Sequence, residues 1–160
     1  MRIAIGTDHA GFPLKQTVIH TVEAAGHEAV DLGTYATEPP VDYPDYAERV
    51  AAAILSGRAD RGVILCGSGL GASIAANKIH GIRAAVAHDV YSAHQGVEHD
   101  AMNVLCLGAR IVGVAVAEEV VQSFLRAEFT GEERHRRRLG KITQLEQRGA
   151  PAVLEPVQTT

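Results

Sequence analysis

The sequence predicts a single-domain, three-layer α/β fold: a five-stranded parallel sheet between two layers of helices, with one further helix at the C-terminal end. Three observations carry the prediction. Short apolar runs alternate with longer segments of helical period, the pattern of consecutive βαβ units. Apolar residues make up 46% of the chain but aromatics only 4%, so the core must come from Ala, Val, Ile and Leu. Such a mixture suits small branched strands under Ala-rich helices. The length of 160 residues fits one core of this kind.

The elements follow in order. Ile3-Ala-Ile5 centres a strand expected over 2–6, and a helix over 13–25 starts with Pro13, in a first turn where a missing N–H costs nothing. Gly26 closes it, and a strand over 28–32 follows. Pro44 opens the next helix, 44–56, and Gly57 ends it. Val63-Ile-Leu65 marks a strand over 62–66, followed by a helix over 71–79. A strand over 83–87, a helix over 89–98, a strand over 103–107 and a helix over 114–127 complete the alternation. After Gly131 the charged segment 132–148 reads as a last helix. Residues 149–160 hold two prolines and no apolar period, so they read as a loose tail, or a strap across a neighbouring subunit. No repeat or linker divides 1–148. An open parallel sheet covered on both faces is the Rossmann-like architecture.

Composition removes several function classes. A net charge of -4 gives no global attraction to nucleic acid or an acidic membrane, so an anionic ligand would need locally clustered cations. No apolar stretch approaches the roughly 20 residues of a spanning helix. Met1-Arg2-Ile3 leads into a strand rather than a signal peptide, which places the protein in the cytoplasm as an expectation. Two cysteines are too few for a disulfide framework. Cys106 lies inside the run Asn103-Val-Leu-Cys-Leu-Gly108 and reads as a buried, inert thiol. No Cys/His spacing suits zinc, and His94 and His99, five apart, do not share a helical face as i, i+4 ligands do. No metal is expected.

In an open α/β sheet, ligands bind beyond the carboxyl ends of the strands, at a topological switch point. Four polar segments fall at that rim: Thr7-Asp8-His9, Cys66 to Gly71, His88-Asp89 and Gly108-Ala-Arg110. The richest is Cys66-Gly67-Ser68-Gly69-Leu70-Gly71. Its glycines let several backbone N–H groups converge, and the helix behind adds a positive dipole end. A thiol at the lip of such a nest could attack a carbonyl, or take a proton from carbon while the nest holds the enediolate oxygen. Two other readings stand beside this one. The glycines can serve only a tight turn, with Cys66 a core residue. Alternatively Gly67-x-Gly69-x-x-Ala72 matches a dinucleotide fingerprint, with Asp89 near the offset of a ribose ligand. The run Arg134-His-Arg-Arg-Arg138 can be a solvated helix face or a nucleic-acid patch. Arg134 and Arg138, four apart, also make a clamp for one phosphate dianion.

Taken together these residues resemble one family, ribose-5-phosphate isomerase B with its relatives the galactose-6-phosphate isomerase subunits. The likeness runs from Met1 to about Gln147. It rests on Gly6-Thr-Asp-His-Ala-Gly11-Phe, Asp42-Tyr-Pro, Cys66-Gly-Ser-Gly-Leu-Gly71, Ile74-Ala-Ala-Asn77-Lys78 and Gly81-Ile-Arg83-Ala. It continues through His99, Asn103-Val-Leu, Gly108-Ala-Arg110 and Arg134-His-x-x-x-Arg138.

The resemblance implies an aldose–ketose isomerase acting through a cis-enediolate, with no cofactor. It makes Cys66 the base between C1 and C2, Ser68 its hydrogen-bonding assistant, and the amides of Gly67, Gly69, Leu70 and Gly71 the oxyanion hole. His99 would open the furanose, Asp8 would meet sugar hydroxyls, His9, Arg134 and Arg138 would hold phosphate, and Arg110 would support the site. Homodimers, or dimers of dimers, sharing residues across subunits are implied as well. Two positions depart from the commoner pattern: Ser68 stands where Thr is frequent, and Asp100 where Asn is common, and a carboxylate accepts hydrogen bonds but donates none. The substrate is therefore ribose 5-phosphate or another sugar phosphate: D-erythrulose 4-phosphate, allose 6-phosphate or galactose 6-phosphate.

Overall fold

The computed structural model describes residues 1–148. Its strands are β1 (Arg2–Thr7), β2 (Glu28–Asp31), β3 (Arg61–Cys66), β4 (Ala84–Val86) and β5 (Val104–Gly108). Its helices are α1 (Phe12–Ala24), α2 (Tyr43–Leu55), α3 (Leu70–Ala76), α4 (Val90–Asp100), α5 (Val114–Arg126) and α6 (Glu133–Arg148). All strand pairs are parallel, in the order β2-β1-β3-β5-β4. The expected tail, 149–160, lies outside the described residues. Among the described residues, no helix is long and apolar enough to cross a membrane.

Strand order and handedness together decide which helix covers which face. Parallel crossovers are right-handed, so steps in opposite directions along the sheet put their helices on opposite faces. The steps β1 to β2 and β4 to β5 run one way and carry α1 and α4. Those from β2 to β3 and β3 to β4 run the other way and carry α2 and α3. The side chains alternate accordingly. Ile3, Ile5, Val63, Leu65, Leu105 and Leu107 belong to one buried cluster with Val18 and Val22 of α1, Val97 of α4, and Val120 and Phe124 of α5. Ala4, Ile64, Cys66, Val104 and Cys106 belong to the other, with Val50 of α2 and Ala72 of α3. Each large aliphatic side chain so buried contributes about 1.5–3 kcal/mol of transfer free energy. The second face is shallower because α2 lies close to it. A Cβ on Gly62 would fall 2.4 Å from Cγ1 of Val50, so a hydrogen there sets the helix-to-sheet distance.

Two elements are shorter than expected. α3 ends at Ala76 rather than 79, and β4 covers only 84–86. One side chain accounts for both. Asn77 donates from Nδ2 to the Ala84 carbonyl at 2.7 Å and accepts from the Ala84 N–H at 2.9 Å. It pairs with β4 as a neighbouring strand would, and the helix stops there. α6 crosses α4, buries His135, and ends near the α3–β4 turn, where Glu146 accepts from the Gly81 N–H at 2.8 Å.

Candidate active site

The chain turns from one face to the other between β1 and β3, so the loops after these strands part and open a crevice between them. Both loops are tightly held. After β1, the Asp8 N–H donates to the Leu65 carbonyl, and the buried Asp8 carboxylate accepts from the Gly11 N–H at 2.8 Å. After β3, the chain reverses through Gly69, whose φ of +81° is a left-handed conformation natural to glycine. That turn aims the Gly69 N–H at Cys66 Sγ, 3.1 Å away.

Asp8, His9, Cys66, Gly67, Ser68, Gly71 and Arg110 line one cleft of about 370 Å³ at this crevice. Cys66 is only 4% exposed, and the cleft is where it meets the outside. Arg110 is brought there by β5, whose end is pinned to the loop: the Ala109 N–H donates to the Cys66 carbonyl and the Arg110 N–H to the Gly67 carbonyl. His9 engages the Val41 backbone through Nδ1, which ties it to the loop before α2. Tyr43 also lines the cleft, and sequence reasoning gave it no role. The only sign of it was the matched motif Asp42-Tyr-Pro, where tyrosine reads as the start of a helix.

The nest is less open than the glycines suggest. The Gly69 N–H is on sulfur, the Leu70 N–H points at Ser68 Oγ at 3.4 Å, and α3 is only seven residues long. The helix dipole behind the loop is correspondingly short. Asp89, the residue of the dinucleotide alternative, caps α4 instead: its Oδ1 accepts from the Ser92 N–H at 2.7 Å, which holds the carboxyl below its ordinary range. Cys106 is fully buried, and burial first, then neighbouring Cys66, pushes its thiol far upward. It is the inert thiol expected. Among the described residues no group of three His, Cys, Asp or Glu side chains gathers as a metal-ligand set.

His99, Asp100, Arg134 and Arg138 do not line this cleft. α4 starts beyond the carboxyl end of β4 and runs back about 16 Å toward the start of β5. His99 and Asp100 therefore lie toward the opposite end of the sheet from Cys66, and Asp100 borders a separate depression with Arg83, Met102 and Ile142. Arg134 and Arg138 are exposed on α6, with Arg134 paired to Glu132 at 2.8 Å. Between them His135 turns inward, 1% exposed, with Nδ1 2.7 Å from Thr130 Oγ1 and its ring stacked on His99 at 4.1 Å between centroids. The residues named from sequence thus form two groups at two ends of one chain.

The buried imidazole has a consequence for stability. Burial first, then neighbouring His99 and Arg134, push the His135 pKa below its ordinary 6.5, against a smaller pull from Glu132. As pH falls, the unfolded chain takes up this proton before the folded one does. The contribution is therefore complete above about pH 6.5 and is lost as pH falls toward the folded value. Urea unfolding midpoints are expected to drop between about pH 7.5 and 5.5, and His135→Gln to flatten that dependence.

Comparisons with known proteins agree on one family. The family described as Ribose/Galactose Isomerase matches residues 3–142. Ribose-5-phosphate isomerase B of Escherichia coli is 44% identical over 147 residues, 92% of this chain and 97% of the relative. A D-erythrulose-4-phosphate isomerase of Pectobacterium atrosepticum is 41% identical, covering 82% of this chain and 86% of the relative. Among solved structures, ribose-5-phosphate isomerase B of Clostridium thermocellum superposes with a TM-score of 0.89 at 47% identity, over 92% of this chain and 99% of that one.

Proposed function

The chain belongs to the ribose/galactose isomerase family, and we propose that it interconverts ribose 5-phosphate and ribulose 5-phosphate with Cys66 as the base. The observation that carries the reading is one cleft at the β1–β3 switch point, where the Cys66 thiol meets Asp8, Ser68 and Arg110. The Cys66 thiolate takes the C2 proton of the open-chain aldose, and the electron pair forms the C1–C2 double bond of a cis-enediolate. The thiol gives a proton back at C1 as the carbonyl moves to C2, while the O2 hydroxyl proton passes to O1; a proton held on sulfur can exchange with solvent before it returns. Backbone donors of Gly67–Gly71 and the Ser68 hydroxyl stabilise the oxygens as charge builds on them. Neither step needs a cofactor.

In this reading the second half of the site comes from another copy of the chain. His99 opens the sugar ring, Asp100 meets its hydroxyls, and Arg134 and Arg138 join His9 on the phosphate. A homodimer, or a dimer of dimers, brings the two ends together. Leu70, Ile74, Ile111 and Val114, each more than half exposed around the cleft, supply apolar surface for that contact. The partners are thus a phosphorylated sugar and a second subunit, with no nucleic acid and no membrane, and the arginine run serves one phosphate. Two free thiols suit the reducing cytoplasm.

Specificity constants for ribose 5-phosphate, D-erythrulose 4-phosphate, allose 6-phosphate and galactose 6-phosphate test the assignment. Ribose 5-phosphate is expected to lead by about tenfold or more, one missing or misplaced hydroxyl contact being enough for that margin. A lead for erythrulose 4-phosphate would keep the chemistry and change the substrate. Turnover of none of the four would end the isomerase reading. Asp100→Asn is expected to alter the ranking, because it restores a donor at that position.

A further inference from the structure

One hydrogen bond near the end of α4 has no part in the chemistry above. The Gln95 side-chain amide lies 2.9 Å from Nδ1 of His99. The two residues are four apart, so they stand one turn from each other on the same helical face. A second contact fixes the ring from another direction: His99 stacks on His135 with planes 29° apart. His135 is itself immobilised by burial and by Thr130. The stack sets the plane of the His99 ring and the amide sets its rotation. Among the described residues, Nε2 is the ring nitrogen left without a hydrogen-bond partner.

We propose that Gln95 is a positioning residue for proton donation by His99, holding Nδ1 in both charge states of the ring so that Nε2 meets the ring oxygen of a furanose substrate. The proposal rests on the isomerase reading and deepens it. An amide suits the task because Nδ1 keeps its proton in both states of the ring: loss of the Nε2 proton from the imidazolium leaves the neutral tautomer with Nδ1–H. With the amide turned so that its oxygen faces the ring, that oxygen accepts from Nδ1–H throughout. A carboxylate can accept the same bond, whereas an alkyl chain cannot.

In the step itself, the Nε2 proton passes to the ring oxygen as the C1–O4 bond breaks and its electron pair stays on that oxygen. The O1–H bonding pair becomes the second C1–O1 bond, and the O1 proton leaves to water. Solvent then returns a proton to Nε2. The product is the open-chain aldose on which Cys66 acts.

Gln95→Leu keeps the bulk of the side chain and removes the bond. Two rates separate positioning from general damage. Conversion of ribose 5-phosphate requires ring opening. Exchange of the C1 hydrogen of ribulose 5-phosphate with D2O starts from an open-chain ketose and needs only the base. Conversion is expected to fall about tenfold to a hundredfold, the scale of a misplaced proton donor. Exchange is expected to stay within about twofold of the parent. Gln95→Glu keeps an acceptor for Nδ1–H and is expected to hold conversion within about threefold of the parent, the rescue that a merely structural role would not single out; parent-like conversion in Gln95→Leu overturns the role. Equal losses in both rates for Gln95→Leu overturn it as well. If the parent protein itself fails to convert ribose 5-phosphate, the isomerase reading falls first and this role falls with it.

Discussion

Cys66→Ala is expected to lose about 10²–10⁴-fold in turnover, the range that a positioned base contributes, while binding of ribose 5-phosphate persists. The expectation follows from place and surroundings. Cys66 ends β3, its sulfur accepts from the Gly69 N–H, and its limited exposure opens into the cleft that Asp8, Ser68 and Arg110 share. Removing one buried sulfur leaves a small void and costs about 1 kcal/mol, less than a larger truncation would, which leaves the fold intact. Cys66→Ser tests the chemistry more closely. It can keep the bond to Gly69, yet an alcohol is a much weaker base at neutral pH than a thiolate. Both variants are expected to lose exchange of the ribulose 5-phosphate C1 hydrogen in D2O, read by NMR, and to bind sugar phosphate by calorimetry as the parent does. Cys106→Ala is the control: that thiol is fully buried on the same face of the sheet and its loss should leave the rate unchanged. Parent-like exchange in Cys66→Ala would assign the base to another group in the cleft.

Much of this architecture was legible in the residues, for reasons that also mark where legibility ended. The strands stood out because runs such as Val63-Ile-Leu65 are buried on both faces, and Pro13, Pro44, Gly26 and Gly57 punctuate the helices between them. The Cys66 rim was legible because polar, titratable residues follow apolar strands directly. The position of β5 between β3 and β4 was not, since strand order leaves no local pattern. The early end of α3 depends on an Asn77 side chain reaching Ala84, seven residues on. The arginine run reads as uniformly polar, yet His135 within it is buried, because α6 turns that one position toward His99. Spacing put Arg134 and Arg138 on one face of a helix but carried no information on their distance from Cys66. That distance is a property of the sheet and of how long α4 runs back along it.

Mixing two inactive variants is expected to restore activity. Arg134→Ala/Arg138→Ala removes two exposed guanidiniums, and each charge-assisted bond to phosphate is worth about 1.5–3 kcal/mol, so the double variant should lose at least about 10²-fold in kcat/KM. Its Cys66 cleft stays intact, whereas Cys66→Ala protein keeps its arginines. In a hybrid dimer, one site joins the intact cleft of one subunit to the intact arginines of the other, and the second site carries both defects. Random reassortment makes half the dimers hybrid, each with one working site, so co-refolded variants should recover about a quarter of the parent activity. Sites complete within one chain would give no recovery, because every site would still carry one lesion. The placement of the residues favours recovery: within one chain the α6 guanidiniums do not line the cleft that holds the thiol, and Arg110 and His9 are the cationic or ionisable nitrogen groups that do. A phosphate dianion reaching from that cleft would be held better with further positive charge, and in the shared-site reading a second copy of α6 brings it.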